Sequence, residues 1–367
     1  MAVPLTRRAL NRALLARQML LARETAGVEE VIARLAGMQA QEPRPPFTGL
    51  WSRIEGFRRD ALLDALRERR VVRATLMRGT LHLMTAEDYA SLRGALQPGL
   101  DLGGMAILGE RAAGIDPAAV AAAAAPLFRE RPRTFTEVRD ALSRAFPGVA
   151  DERAMGYIAR TRLPLVVAPD GAAEWGFRPD PAFTDAEAWL GRPVSADPAP
   201  DALVLRYLAA FGPATPADFQ AWSGLKGAKA AFARLADRLA VLTDERGRTL
   251  YDLPDAPRPP EDAPAPARLV ADFDNLILSH ADRTRIIAEE HRPLVVSRNL
   301  RVAPTFLVDG FVAGIWKLAA TRKAATVTLS PFAALPEGAR EELAAEAVAL
   351  ARFLAPGAAD ARVEFAG

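Results

Sequence analysis

The spacing of apolar positions along this chain switches between helical and strand periods, and the switches recur in one order. In the middle, Asp116-Pro117 reads as an N-cap followed by proline at the first helical position. The helix it opens is expected to run through alanines to about Ala125, where Pro126 ends or kinks it. Thr134-Phe135-Thr136-Glu137 is a capping box opening a second helix that stops before Pro147. Asp151 caps a third helix through about Arg162. The stretch LPLVVAPDGAAEWGFRP then predicts two short strands around the turn Pro169-Asp170-Gly171.

The same order returns downstream. A helix is expected over 201–211, and Thr215-Pro216-Ala217-Asp218 caps a short helix that Gly224 breaks. Residues 226–239 carry apolar positions at helical spacing, and AVLTDERGRTLYDL reads as strand, turn and strand with Gly247 in the turn. The N-terminal part gives a looser copy, with helices over 6–22, 28–38 and 58–69 and the proline-rich EPRPPFTG between the last two. VVRATLMRGTLHLM follows as a hairpin around Arg78-Gly79. Helix, capped helix, third helix and hairpin is the winged-helix order.

After Pro254, DAPRPPEDAPAPA is a linker expected to be extended. Beyond it RLVADFDNLIL, APTFLVDGFVAGIWKLA and ATVTLSPF are apolar runs of strand length. A helix from near Pro336 to about Leu354 and a last strand, ARVEFA, follow. The expected fold class is therefore α+β. Three tandem winged-helix units span residues 1–110, 111–195 and 196–256, and a C-terminal β-rich module with a hairpin spans 257–367.

Composition narrows the chemistry. There is no cysteine, which excludes disulfides and thiolate metal sites. The three histidines, His82, His280 and His291, have no spacing that suits a metal, so no metal and no cofactor is expected. Arginines interrupt the N-terminal apolar runs before a secretory core can form, and the longest apolar stretch, 118–128, is too short to span a bilayer. A cytoplasmic chain with no membrane partner is expected. The net charge of +2 is too small to argue for nucleic acid. Of 47 basic residues only Lys226, Lys229, Lys317 and Lys323 are lysines. Arginine suits bidentate phosphate contacts, but a GC-rich codon usage gives the same excess.

The segments GMQAQEPRPPFTGLWSR (37–53), MRGTLHLM (77–84), VADFDNLILSHADR (270–283) and VDGFVAGIWK (308–317) resemble the AlkZ-like bacterial DNA glycosylases, within the winged-helix group that includes the YcaQ-type enzymes. The resemblance covers essentially the whole chain. Members that excise bulky alkylated purines carry glutamine, an apolar residue and glutamine in the first segment; Gln39-Ala40-Gln41 matches this. The YcaQ-type branch has an aspartate at the last of these positions, so Gln41 favours the AlkZ-type branch. The resemblance implies a monofunctional glycosylase for N7-alkylguanine, bulky adducts and interstrand crosslinks included, as in relatives that give self-resistance to alkylating natural products of the azinomycin kind. It implies double-stranded DNA as partner and Gln39 and Gln41 as the catalytic pair. A monomer is expected, because three unequal units in one chain suit curling around a duplex better than dimerising on a palindrome.

Glutamine cannot ionise, so the pair would orient a water and lie beside a cationic sugar rather than take a proton. Residues two apart share a side only in extended chain. Pro43 disfavours helix just before it, so the pair is expected where a helix ends and the chain extends, with free helix-end carbonyls adding negative potential. The bland reading is two polar residues at an exposed helix end. Other candidates for contacting DNA are Arg78, His82, Lys317, Arg322 and Lys323. His82 equally suits a satisfied core position, and the Thr321-Arg322-Lys323 turn equally suits plain solvation. Nothing marks Lys317 as a desolvated Schiff-base lysine, so no lyase step is expected. Asp272 and Asp274, with His280 and Asp282, read as turn residues paired internally with Arg283 and Arg285 rather than as a metal set. The non-enzymatic alternatives are a winged-helix transcriptional regulator and a protein-binding scaffold.

Overall fold

The computed structural model describes residues 3–149, 151–299 and 301–366. Thr6 caps α1 (Arg7–Arg17) by accepting the Ala9 N–H. α2 (Val28–Arg34) is shorter than its apolar pattern suggested. Ala36 and Gly37 take left-handed backbone and turn the chain into β1 (Met38–Gln39). A Cβ at Gly37 would lie 2.9 Å from the Leu83 carbonyl, so only glycine fits. The proline-rich stretch opens α3 (Pro45–Trp51), with prolines in the first turn where no intrahelical N–H is needed. α4 (Arg59–Arg67) leads into the hairpin of β2 (Val71–Thr75) and β3 (Leu81–Thr85).

Next comes α5 (Ala86–Leu108), capped by Thr85. Its apolar pattern is broken by Pro98 and four glycines, which hid it from the sequence. Two of the glycines are explained by crossings. A Cβ at Gly94 would meet the backbone of residues 195–197 at 2.5–2.7 Å, and one at Gly99 would meet Gly224 at 3.3 Å. α6 (Pro117–Glu130), α7 (Phe135–Ala145) and α8 (Glu152–Arg162) start on the expected caps, Asp116, Thr134 and Asp151. α6 runs through Pro126 instead of ending there, because Val120, Ala124 and Phe128 keep one face buried across it. β4 (Leu165–Val167) pairs with β5 (Phe183–Asp185) and not with a strand just past Gly171. β4 also joins β2 through Ala74 and Val166, giving one five-stranded sheet in the order β1-β3-β2-β4-β5.

α9 (Ala186–Leu190) leads to α10 (Asp201–Phe211), α11 (Pro216–Ser223) and α12 (Ala228–Arg234), then the two-stranded β6 (Ala240–Thr243) and β7 (Thr249–Asp252). The C-terminal part holds β8 (Arg268–Val270), α13 (Asn275–Leu278), α14 (Arg292–Val295), β9 (Thr305–Val308), β10 (Phe311–Ala320), β11 (Ala325–Pro331), α15 (Ala339–Leu354) and β12 (Ala361–Phe365). Its sheet runs β12-β11-β10-β9-β8 under α15, with Trp316, Leu329 and Leu343 at its centre. The run 268–278 was expected as a strand. It is a strand only to Val270, because the Asp274 carboxylate accepts the Leu276 N–H and opens α13. Among the described residues no helix is long and apolar enough to cross a membrane.

Arg53, at the end of α3, ties these parts together. It forks onto both carboxylate oxygens of Asp274 at 2.9 Å and donates to the carbonyls of Gln18 and Gly49. Gln18 in turn donates to the Ala210 carbonyl of α10. Arg53 is 1% exposed and Asp274 8%. Removing one partner of such a buried pair leaves an uncompensated charge, at a cost of about 3–5 kcal/mol. Asp274→Ala is expected to lower unfolding free energy by that amount in urea titrations, and Arg53→Met with Asp274→Leu by clearly less. A loss under about 1 kcal/mol, the median for an exposed pair, would refute this role.

Candidate active site

Gln39 sits in β1 opposite His82 of β3. The Ala40 N–H continues the ladder to the Leu81 carbonyl at 2.7 Å, and the chain then bends at Gln41, whose side chain returns to the same Leu81. The expectation of extended chain holds for Gln39, and Gln41 lies at the bend that follows. The expected helix end does not act on the pair. α2 stops short, and its last carbonyls, of Val31, Ile32 and Ala33, accept the N–H groups of Leu35, Gly37 and Ala36.

Each amide is held by a group that can only donate. Arg78 Nη2 donates to Gln39 Oε1 at 2.7 Å, and the Leu81 N–H donates to Gln41 Oε1 at 3.2 Å. Both carbonyl oxygens are thereby fixed in place, and each keeps a second lone pair. Gln39 is 8% exposed and Gln41 is exposed. From below, Arg73 donates to the backbone carbonyls of Ala40 (2.8 Å) and Gln41 (2.9 Å) and stacks on Phe177. Burial pushes its guanidinium down to about 10. Arg73 was missed in the sequence because it stands inside an apolar strand; a lone arginine in VVRAT was the signal.

Arg78 takes left-handed backbone, φ 57°, in the hairpin turn. Its other guanidinium nitrogen donates to the Trp222 carbonyl of α11, and the chain at Gly224 packs so closely that a Cβ there would lie 3.3 Å from the Arg78 Cα. A non-glycine residue in this region costs about 1–2 kcal/mol, so the surrounding contacts must enforce it. Desolvation first, and nearby Arg283 second, lower Arg78 to about 10. It is thus an internal anchor for Gln39, with its remaining surface half-buried.

His82 is fully buried and does not present its ring to a duplex. Its Nδ1–H donates to the Thr80 carbonyl at 3.0 Å, and Nε2 has no partner among the described residues. Desolvation, with help from Arg78, pushes it down to about 3. The structure therefore groups Gln39, Arg78 and His82, and places Lys317, Arg322 and Lys323 elsewhere, exposed on the β10–β11 hairpin and its tip.

A narrow cleft runs beside Gln39, walled by Gly37, Met38, Asp272 and Asn275. Asn275 donates to the Gly37 carbonyl at 3.1 Å, and its buried Oδ1 has no partner among the described residues. A wider groove lined by Arg44, Trp316 and Lys317 shares Asp272 with that cleft, so the root of the hairpin adjoins the glutamine site. The acidic residues of this region pair differently from expectation. Asp274 takes Arg53, Asp282 takes Arg246 and Arg248, and Asp272 takes no one among the described residues.

This is a polar site on a short strand and the bend after it, beneath a strained turn, set in a mixed α+β scaffold. The family model described as DNA glycosylase AlkZ-like matches residues 32–353, and the chain belongs to that family. A similar protein is the interstrand DNA cross-link repair glycosylase of Streptomyces sahachiroi, 28% identical over 154 residues; the match spans 40% of this chain and 37% of that protein. The solved structure of the Streptomyces sahachiroi DNA glycosylase AlkZ superposes with a TM-score of 0.80 at 21% identity over the full length of both chains, a likeness of fold.

A histidine held neutral in the core loses stability on acidification, because only the unfolded chain binds the proton. The contribution of His82 is complete above its unfolded value of 6.5 and declines as pH falls toward its folded value of about 3. Between pH 7 and 5 this amounts to about 2 kcal/mol. His82→Phe is expected to show that much less acid destabilisation than wild type in urea titrations at pH 7 and 5; identical pH slopes would refute the assignment.

Proposed function

We propose that this protein is a monofunctional DNA glycosylase that hydrolyses the N-glycosidic bond of alkylated purines, N7-alkylguanine first, with bulky and crosslinked adducts within its range. The observation that carries this reading is the pair of amides fixed by donors, Gln39 on a strand beside a cleft and Gln41 at the bend that follows. Alkylation at N7 already makes guanine a cation and a good leaving group. Excision then needs a placed water and negative potential near the sugar more than it needs an acid. The free lone pairs of Gln39 and Gln41 supply both. Self-resistance to a DNA-alkylating natural product, as a cytoplasmic monomer, is the biological role consistent with this chemistry.

Residues 1–110, 111–195 and 196–256 act as three winged-helix units that cradle the duplex, and the module at 257–367 contributes its hairpin. Lys317, Arg322 and Lys323 are exposed cations on that hairpin and suit phosphate contacts along a groove. Arg78 and His82 serve the site from inside.

Two experiments test this. Incubation with duplex containing N7-methylguanine is expected to release free base and leave an abasic site, and Gln39→Ala or Gln41→Ala to abolish release while DNA affinity is kept. Full activity in both variants would refute the glutamine assignment. Release by no form of the protein, with sequence-specific DNA binding instead, would favour a winged-helix regulator. Replacing Lys317, Arg322 and Lys323 together by alanine is expected to weaken DNA binding and flatten the log–log salt dependence by up to about 3, roughly one for each phosphate no longer neutralised. An unchanged slope would remove the hairpin from the interface.

A further inference from the structure

We infer that Asp272 is the general base of this site, taking the proton from the water that the glutamines orient. The inference rests on the glycosylase reading above. It starts from a gap in that chemistry: attack by water on the sugar sheds a proton, and an amide cannot accept one.

Asp272 lines the cleft that Gln39 lines, at its junction with the groove at the hairpin root. Glu42 is exposed and does not wall the cleft, and Asp274 is consumed by Arg53. Among the described residues the Asp272 carboxylate makes no ion pair and no hydrogen bond to another residue, although it is half-buried. The backbone explains the separation of the two aspartates. Phe273 between them has φ 56°, a conformation strained for a bulky residue. It breaks the extended chain so that the two carboxylates on the cleft wall part: Asp274 takes Arg53, and Asp272 has no partner among the described residues. Strain at a site wall is retained where the geometry matters. Beside Asp272, the unpartnered Asn275 Oδ1 offers an acceptor for a water's second proton.

The step balances. The water oxygen bonds to the sugar C1′, and the C1′–N9 electron pair leaves with the base and neutralises the cationic purine. One water proton passes to the Asp272 carboxylate and then to solvent. The charged groups facing Asp272 are Arg44 and Arg301, which favour its ionised form, and Glu42, which opposes it. Burial outweighs them and raises it above the ordinary aspartate value. It therefore loses the proton-accepting form on acidification at a higher pH than a solvated aspartate would.

The test is single-turnover excision of N7-methylguanine from duplex by wild type, Asp272→Asn and Asp272→Glu across pH 4–8. Asp272→Asn is expected to be slower by on the order of 100-fold, with wild-type DNA affinity and circular dichroism. Wild type is expected to lose rate on acidification with a midpoint above the ordinary aspartate range. Asp272→Asn should lack that limb and Asp272→Glu should keep it. Wild-type rate and pH profile in Asp272→Asn would overturn the proposal, as would loss of the acid limb in a folded Asp272→Glu. Base release by none of the three, wild type included, would overturn the glycosylase reading and this proposal with it.

Discussion

The buried fork between Arg53 and Asp274 is the contact on which the site depends. It joins the end of α3 to the loop before α13, and through Gln18 it reaches α10. The two flanks of the cleft beside Gln39 come from these same stretches: β1 and α3 on one side, residues 271–275 on the other. An ion pair inside a protein gives little net stability relative to apolar packing. What it gives is register. A guanidinium that must satisfy a carboxylate and two carbonyls has one acceptable position, whereas apolar surfaces slide. Asn275, one residue beyond the pair, then reaches the Gly37 carbonyl and sets the turn that feeds β1.

The same logic of donor-only groups governs the glutamines. A primary amide can flip with little change in shape, exchanging acceptor for donor. Facing Arg78 and the Leu81 N–H, it cannot do so without setting donor against donor. The strained backbone of Arg78 is the cost of this arrangement, and the contacts of its guanidinium with Trp222 and of its backbone with Gly224 offset it. The β2–β3 turn is thus clamped by the α11–α12 turn, so residues distant in sequence decide how Gln39 points.

The caps at Asp116, Thr134, Asp151 and Thr215 were legible in the sequence, because capping is local and its signature is a residue type at a fixed offset. The β2–β3, β6–β7 and β10–β11 hairpins were legible for the same reason. What escaped was non-local. α5 is hidden because its glycines answer to chains that cross it. The pairing of β4 with β5 across a long loop, and the merging of both into the first sheet, depend on contacts with no local mark. At the site, the non-helical setting of Gln39 and Gln41 could be argued from the helical run before them and Pro43 after them. The tethers Arg73 and Arg78 and the free carboxylate of Asp272 could not, because a buried arginine and a surface arginine are written with the same letter.

That ambiguity also resolves the meaning of the arginine excess. Arg12, Arg17, Arg53, Arg73, Arg93, Arg268 and Arg285 are buried, and most of them donate to backbone carbonyls or to a single carboxylate. All four lysines are exposed. A planar, weakly hydrated guanidinium with five donors can be taken from water at tolerable cost when several acceptors await it; a compact ammonium cannot. These seven of the 47 basic residues are internal scaffolding, and they say nothing about phosphates. Most of the basic residues stay at the surface, where many pair with carboxylates; on the β10–β11 hairpin Lys317, Arg322 and Lys323 are exposed, and Lys317 lines the groove that shares Asp272 with the cleft beside Gln39.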